Sequence, residues 1–154
     1  MKLNGISING GLLPIDPALF MPPASDGFYI DSGTENSLLV GKVYDILQQG
    51  MVDYFQDYYG WLPLNRTARL DHYELCSELP SEGRCYVHFE GTANLELDEN
   101  SIFKVFDQAN QFCMTILRLG SKEGPNILGA LQQANYRFLF DAAASKLSSA
   151  KDIC

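Results

Sequence analysis

The sequence predicts an α+β fold: a small antiparallel sheet of two to four strands with three helices packed on one face, preceded by an apolar N-terminal arm. Three observations lead there. Apolar residues recur at three- and four-residue steps from Leu39 to Tyr58, a period-two alternation runs from Cys85 to Leu97, and the helical spacing returns twice after Asp98.

Residues 1–33 read as the arm or extended segment, and residues 34–150 as a single α+β domain. Within the arm, Ile6 and Ile8 alternate with polar neighbours, so residues 3–9 suit an edge strand for the sheet. Prolines 14, 17, 22 and 23 and the turn pairs Asp26-Gly27 and Ser32-Gly33 interrupt the rest. Leu12, Leu13, Leu19, Phe20, Phe28 and Ile30 are too apolar for a free tail and predict packing across the core or onto a partner.

The first helix has Thr34 or Asn36 as its cap and carries Leu39, Val43, Ile46, Leu47, Met51, Tyr54, Phe55 and Tyr58 on one face. Gly50 costs this helix about 1 kcal/mol relative to alanine, which predicts a close neighbour at that position. Gly60 ends the helix and Pro63 prevents its resumption. Beyond it, Cys85, Val87, Phe89, Ala93, Leu95 and Leu97 share one parity, as one bent strand or two strands kinked at Gly91. Residues 68–76 form its expected hairpin partner across the loop 77–83. The stripe Ile102, Val105, Phe106, Ala109, Phe112, Cys113, Ile116, Leu117 predicts the second helix. Pro125 then opens a third, with Ile127, Leu128, Leu131, Ala134, Phe138 and Leu139 on its face.

Charge is unevenly placed. The chain carries a formal −8, and the window 71–99 holds eight acids against Arg84 alone. Such a face repels nucleic acid and anionic membrane and attracts basic proteins. No continuous apolar run opens the chain or reaches bilayer length, and four unevenly spaced cysteines do not form a disulfide framework. Those features predict a reduced, cytoplasmic protein, with Cys113 as a core residue and Cys76 and Cys85 able to pair across their turn if oxidised.

Candidate chemistry is sparse. His72-x3-Cys76 with Cys85-x2-His88 has zinc-ligand types, but the expected hairpin sends the imidazoles to opposite faces, so no metal is expected. His88 with Glu90 and Glu74 has the residue types of an acid–base site but sits on a wet face with little to tune it. Gly33 to Lys42 fails as a phosphate loop because the glycines are eight apart and Val43 replaces the hydroxyl residue. Tyr54, Tyr58, Tyr59 and Trp61 cluster at the end of the first helix without the cationic track that single strands need, and read as core and rim.

The expectation is therefore a non-enzymatic protein-binding module of the inhibitor, immunity-protein or secretion-chaperone/adaptor type, using the acidic sheet face or the apolar arm. Its partner-binding residues are Glu74, Glu78, Glu82, Tyr86, His88, Glu90 and Glu96, facing a protein with a basic surface. No catalytic residue, metal or cofactor, and no nucleic acid or membrane, is expected; a homo-oligomer is compatible with the apolar arm. The alternatives are a small enzyme built on His72, His88, Glu74 and Glu90, and a structural subunit of an oligomeric assembly.

Overall fold

Strands carry most of this chain, and the expected α+β arrangement is corrected to a β-rich one. The computed structural model describes all residues except 1, 2, 4, 22–25, 66, 71, 79–88, 92–94, 121–123, 145 and 153–154; of 89–91 and 146 it describes the backbone.

The first sheet orders β2 (Gly11–Leu12), β1 (Ile6–Ile8), β6 (Phe89–Gly91) and β7 (Glu96–Leu97). The second orders β10 (Ile116–Arg118), β4 (Ser37–Leu39), β11 (Asn126–Leu128) and β3 (Phe28–Ile30). A third joins β5 (Cys76–Glu78), β9 (Gln111–Met114) and β8 (Phe103–Phe106), and β12 (Tyr136–Asp141) pairs with β13 (Lys146–Lys151) as a two-stranded ribbon. One long helix, α1 (Gly41–Tyr59), and two single turns, α2 (Glu99–Ile102) and α3 (Ala130–Gln133), complete the α-helical elements among the described residues.

The expected arm is structural. β1 sits inside the first sheet, paired with both β2 and β6, and β3 pairs in parallel with β11. The expected second and third helices are replaced by hairpins. Asn110 and Asn135 take the left-handed conformation (φ 51° and 64°) at points where a continuous helix would have run. The apolar steps of three and four arose because aromatic and β-branched residues crowd both segments. Phe103/Val105 and Tyr136/Phe138/Phe140 also alternate at period two, and cross-strand pairing selects that reading.

Among the described residues the expected hairpin between 68–76 and 85–97 is absent. β5 pairs with β9 instead, in a register that sets Cys76 opposite Cys113, and a disulfide joins them. Cys113 is therefore half of a covalent bridge, and Cys76 does not pair with Cys85, which lies outside the described residues.

α1 matches its expected body and end. Val43, Tyr44, Leu47, Met51 and Phe55 form its buried stripe, and full burial of such side chains stabilises by about 1.5–3 kcal/mol each. Gly60 ends it at φ 67°, donating to Gln56 O while Trp61 N donates to Phe55 O. Its start lies later than Thr34 or Asn36, because Ser37–Leu39 is drawn into the second sheet and Val40 becomes the cap. A Cβ on Gly50 would lie 2.6 Å from Leu13 Cδ2, which is the close neighbour the sequence predicted. The stripe packs with Ile8, Phe20, Phe28, Leu39, Ile116 and Leu128 in one core. No helix among the described residues is long and apolar enough to cross a membrane.

Replacing both Cys76 and Cys113 by serine should lower the unfolding free energy by roughly 2–4 kcal/mol, measured by urea titration. An unchanged midpoint would mean the bridge contributes nothing.

Candidate functional site

The second sheet contains a crossing that positions one carboxylate. β11 lies between β3 and β4, parallel to β3 and antiparallel to β4, so the connection from β3 to β4 must pass the end of β11. That connection begins Asp31-Ser32-Gly33-Thr34. Asp31 N donates to Leu128 O at 3.0 Å, which anchors the loop where β3 and β11 both end.

The loop closes on the Asp31 carboxylate. Gly33 N donates to Oδ1 at 2.8 Å and the Thr34 hydroxyl donates to Oδ2 at 2.7 Å. An aspartate that bonds its own backbone two residues on makes a turn of its own, in preference to helix. Each oxygen thus has one fixed donor, while the residue remains exposed. The Thr34 hydroxyl first, and the Gly33 N–H second, hold this carboxyl below the ordinary aspartate range, with desolvation opposing them.

Buried polar groups brace the loop from beneath. Ala130 N donates to Thr34 O at 2.7 Å, and Leu131 N to Glu35 O at 3.0 Å. Gln132, with no exposed surface, accepts from Ser37 N at 3.0 Å and from the Ser37 hydroxyl at 2.6 Å. Its Nε2 donates to Thr115 Oγ1 at 2.9 Å and to Ser101 O. Gly129 N donates to Ser37 Oγ at 2.9 Å. A Cβ on Gly129 would fall 2.4 Å from both C and O of Asn36, so no side chain fits there.

Among the sequence-predicted partner residues, the described ones, Glu74, Glu78 and Glu96, do not fall in one sheet. Glu74, just before β5, pairs with Arg118 Nε at 3.2 Å, and the same guanidinium pairs with Asp45 and lies 5.0 Å from the centre of the Tyr44 ring. Burial, with Glu74 adding to it, pushes the Tyr44 hydroxyl well above the ordinary range. Glu78 is exposed at the end of β5. Glu96 belongs to a different sheet, lies opposite Glu90 in the β6–β7 register, and sits 3.7 Å from Lys151 Nζ. Glu82, Tyr86 and His88 lie outside the described residues, as does the Glu90 side chain. His72 packs 4.1 Å from Tyr73, ring to ring. Cys76, tied up in its disulfide, is no longer free to join the His72/Cys85/His88 set, and no group of three or more His, Cys, Asp or Glu among the described residues is arranged to hold a metal.

Asp31 is the candidate site residue that sequence reasoning missed. The available signal was an aspartate directly after the apolar run Phe28–Ile30, with glycine two residues on and a hydroxyl three residues on. Reading Ser32-Gly33 as a bare turn and Thr34 as a helix cap hid it; Thr34 gives its hydroxyl to Asp31 instead.

Residues 1–151 match the family model described as Xylanase inhibitor C-terminal. The chain belongs to the xylanase inhibitor C-terminal family. Among curated relatives, aspartic proteinase nepenthesin-1 of Nepenthes gracilis is 28% identical, over all of this chain and 35% of its own length. Aspartyl protease family protein 2 of Arabidopsis thaliana is also 28% identical, over 99% of this chain and 31% of its own. The chain thus spans about a third of the length of these curated relatives. The crystal structure of edgp superposes with a TM-score of 0.75 at 14% identity, covering 99% of this chain and 39% of that one. Soybean basic 7S globulin gives 0.67 at 17%, covering 95% and 39%. Both share the β-rich fold of this xylanase inhibitor C-terminal domain.

Thr34→Ala should raise the Asp31 pKa, followed by carboxyl carbon NMR. The sign for stability follows from the lowered folded pKa. Asp31 contributes stability above the ordinary aspartate value and loses it as pH falls through the lowered one, so the variant should lose part of that dependence. Gly129→Ala should cost about 1–3 kcal/mol through overpacking against the Asn36 backbone, read by denaturant unfolding; a neutral result would show that the loop yields freely.

Proposed function

We propose that this chain is one lobe of an aspartic proteinase and supplies Asp31 as one of the two carboxylates such an enzyme needs. The observation that carries the reading is the exposed Asp31 carboxylate, fixed by one donor on each oxygen at the crossing of β3, β11 and β4. The names of the curated relatives support it, and so does their length, which leaves about two thirds of such a protein to supply the second carboxylate.

The chemistry requires a pair. Two aspartates held close cannot both ionise, so they share one proton. The ionised member takes a proton from water as its oxygen bonds to the scissile carbonyl carbon. The protonated member gives its proton to the carbonyl oxygen. A proton then passes to the amide nitrogen as the carbon–nitrogen bond breaks. The Thr34 and Gly33 donors favour ionised Asp31, so the shared proton is biased towards the other lobe's carboxyl. A single carboxylate cannot hold both roles, and the isolated chain is inert on this reading. The Cys76–Cys113 bridge supports an oxidising compartment as its working place, in place of the cytoplasm.

A second reading, protein binding of inhibitor type, is favoured by the family's description. Asp31 separates the two. In a two-lobed protein containing this chain, Asp31→Asn should lower peptide hydrolysis by about 10²–10⁴-fold with folding intact by circular dichroism. Full activity in that variant would defeat the proteinase reading. Hydrolysis absent from the parent protein, with a bound protein partner retained by the variant, would favour the inhibitor reading.

A further inference from the structure

A cavity of about 160 Å³, partly open to solvent, is lined by residues of both four-stranded sheets and the ribbon; Ser37 and Gln132, which brace the Asp31 loop, are among them, and Asp31 is not. Leu39 and Leu128 of the second sheet form one wall, Ile6 and Leu97 of the first sheet another, and Phe138 and Leu147 of the ribbon the third. Its polar side chains are Ser37, Gln132 and Ser149.

Those polar groups decide what the cavity can hold. Gln132 Oε1 accepts twice, from Ser37 N and Ser37 Oγ, and its Nε2 donates twice, to Ser101 O and Thr115 Oγ1. An amide side chain has no further capacity. Ser37 Oγ spends its hydrogen on Gln132 and accepts from Gly129 N, which leaves one lone pair. Ser149 lies on the exposed ribbon, at the solvent side. A stable buried water needs about two to four polar partners, and the inner side chains offer a single lone pair. An ion would be worse placed, since none of the described lining residues is charged.

We propose that this cavity is a binding site for a small, uncharged, apolar molecule of about the size of one aromatic ring. An apolar cavity of about 150 Å³ lined by Leu, Ile and Phe stays dry and takes benzene, and the volume and lining here are of the same kind. The driving force is removal of these apolar walls from water, together with dispersion contacts that the walls lack where the space is unfilled. The ligand gains its affinity from shape and apolar area alone. Among the described lining side chains a hydroxyl or an ammonium has at most one inner acceptor to meet and no counter-charge, and a carboxylate has no inner donor.

The test is a titration of the methyl-labelled 154-residue chain with toluene, beside benzoate as the charged counterpart. Toluene should shift the methyls of Leu39, Leu97 and Leu128 saturably and raise the thermal midpoint, while benzoate leaves those methyls in place. Leu97→Phe, which fills the cavity, and Leu147→Trp, which narrows its open side, should each weaken toluene by at least about tenfold. If Leu97→Phe fails to fold, the Leu147→Trp and benzoate arms still decide. Absence of a saturable shift in the parent chain, equal binding of benzoate, or unchanged affinity in a folded variant would overturn the proposal. Asp31→Asn should bind toluene as the parent does, so this result stands apart from the proteinase reading.

Discussion

Two buried amides hold this fold at the point where its topology is hardest to satisfy. Threading β11 between β3 and β4 leaves backbone groups around the crossing without ladder partners, and unpaired buried groups are costly. Asn126, fully buried, accepts from Val40 N at 2.9 Å and donates to Gly27 O at 3.3 Å. One side chain thus ties the entry of β3 to the start of α1. Gln132 does the same for β4, the Ile102 region and Thr115. Removing either amide strands several partners at once, at about 1–3 kcal/mol for each group left unsatisfied.

That brace explains why an exposed carboxylate can be held in one place. The Asp31 loop has little apolar surface of its own and would be mobile as an isolated turn. Its floor is Gly129, which allows main chain to lie against main chain, and its wall is the α3 turn, which donates to Thr34 O and Glu35 O. The side chain is then fixed by its own loop, with no distant residue involved. Rigid support beneath a solvent-facing polar group is what a reacting site requires.

Legibility in the sequence followed the range of the interactions. α1 was readable because its stripe, its left-handed Gly60 and the close approach at Gly50 are local events. Its first turn was not, since pairing with β10 and β11 claims Ser37–Leu39. Cys113 and Phe112 fit a helical stripe equally well until Cys76 and Ser77 pair with them from 35 or more residues away. The described acids of the acidic window divide for the same reason. Charge that is contiguous along the chain was assumed contiguous in space, yet Glu74 precedes a strand of the third sheet and Glu96 lies in the first, each beside its own cation. Asp31, by contrast, was within reach: its turn is spelled by four consecutive residues, and the missing step was to ask where the Thr34 hydroxyl goes.

The ribbon of β12 and β13 is joined to the remaining sheets, among the described residues, by no strand ladder. It meets β7 through a phenol, beside the Lys151–Glu96 ion pair: Tyr136 Oη donates to Glu96 O at 2.6 Å and accepts from Glu96 N at 2.9 Å. A tyrosine here does the work of a neighbouring strand, meeting both main-chain groups of one residue. Leu139 and Phe140, each 66% exposed, sit further along the same ribbon on opposite faces. A two-stranded element moored at one end and greasy on both sides behaves as an outrigger. Its inner side rests on the core through Phe138, while its border, unladdered among the described residues, can take up a further strand, and the net charge of −8 opposes such pairing between copies.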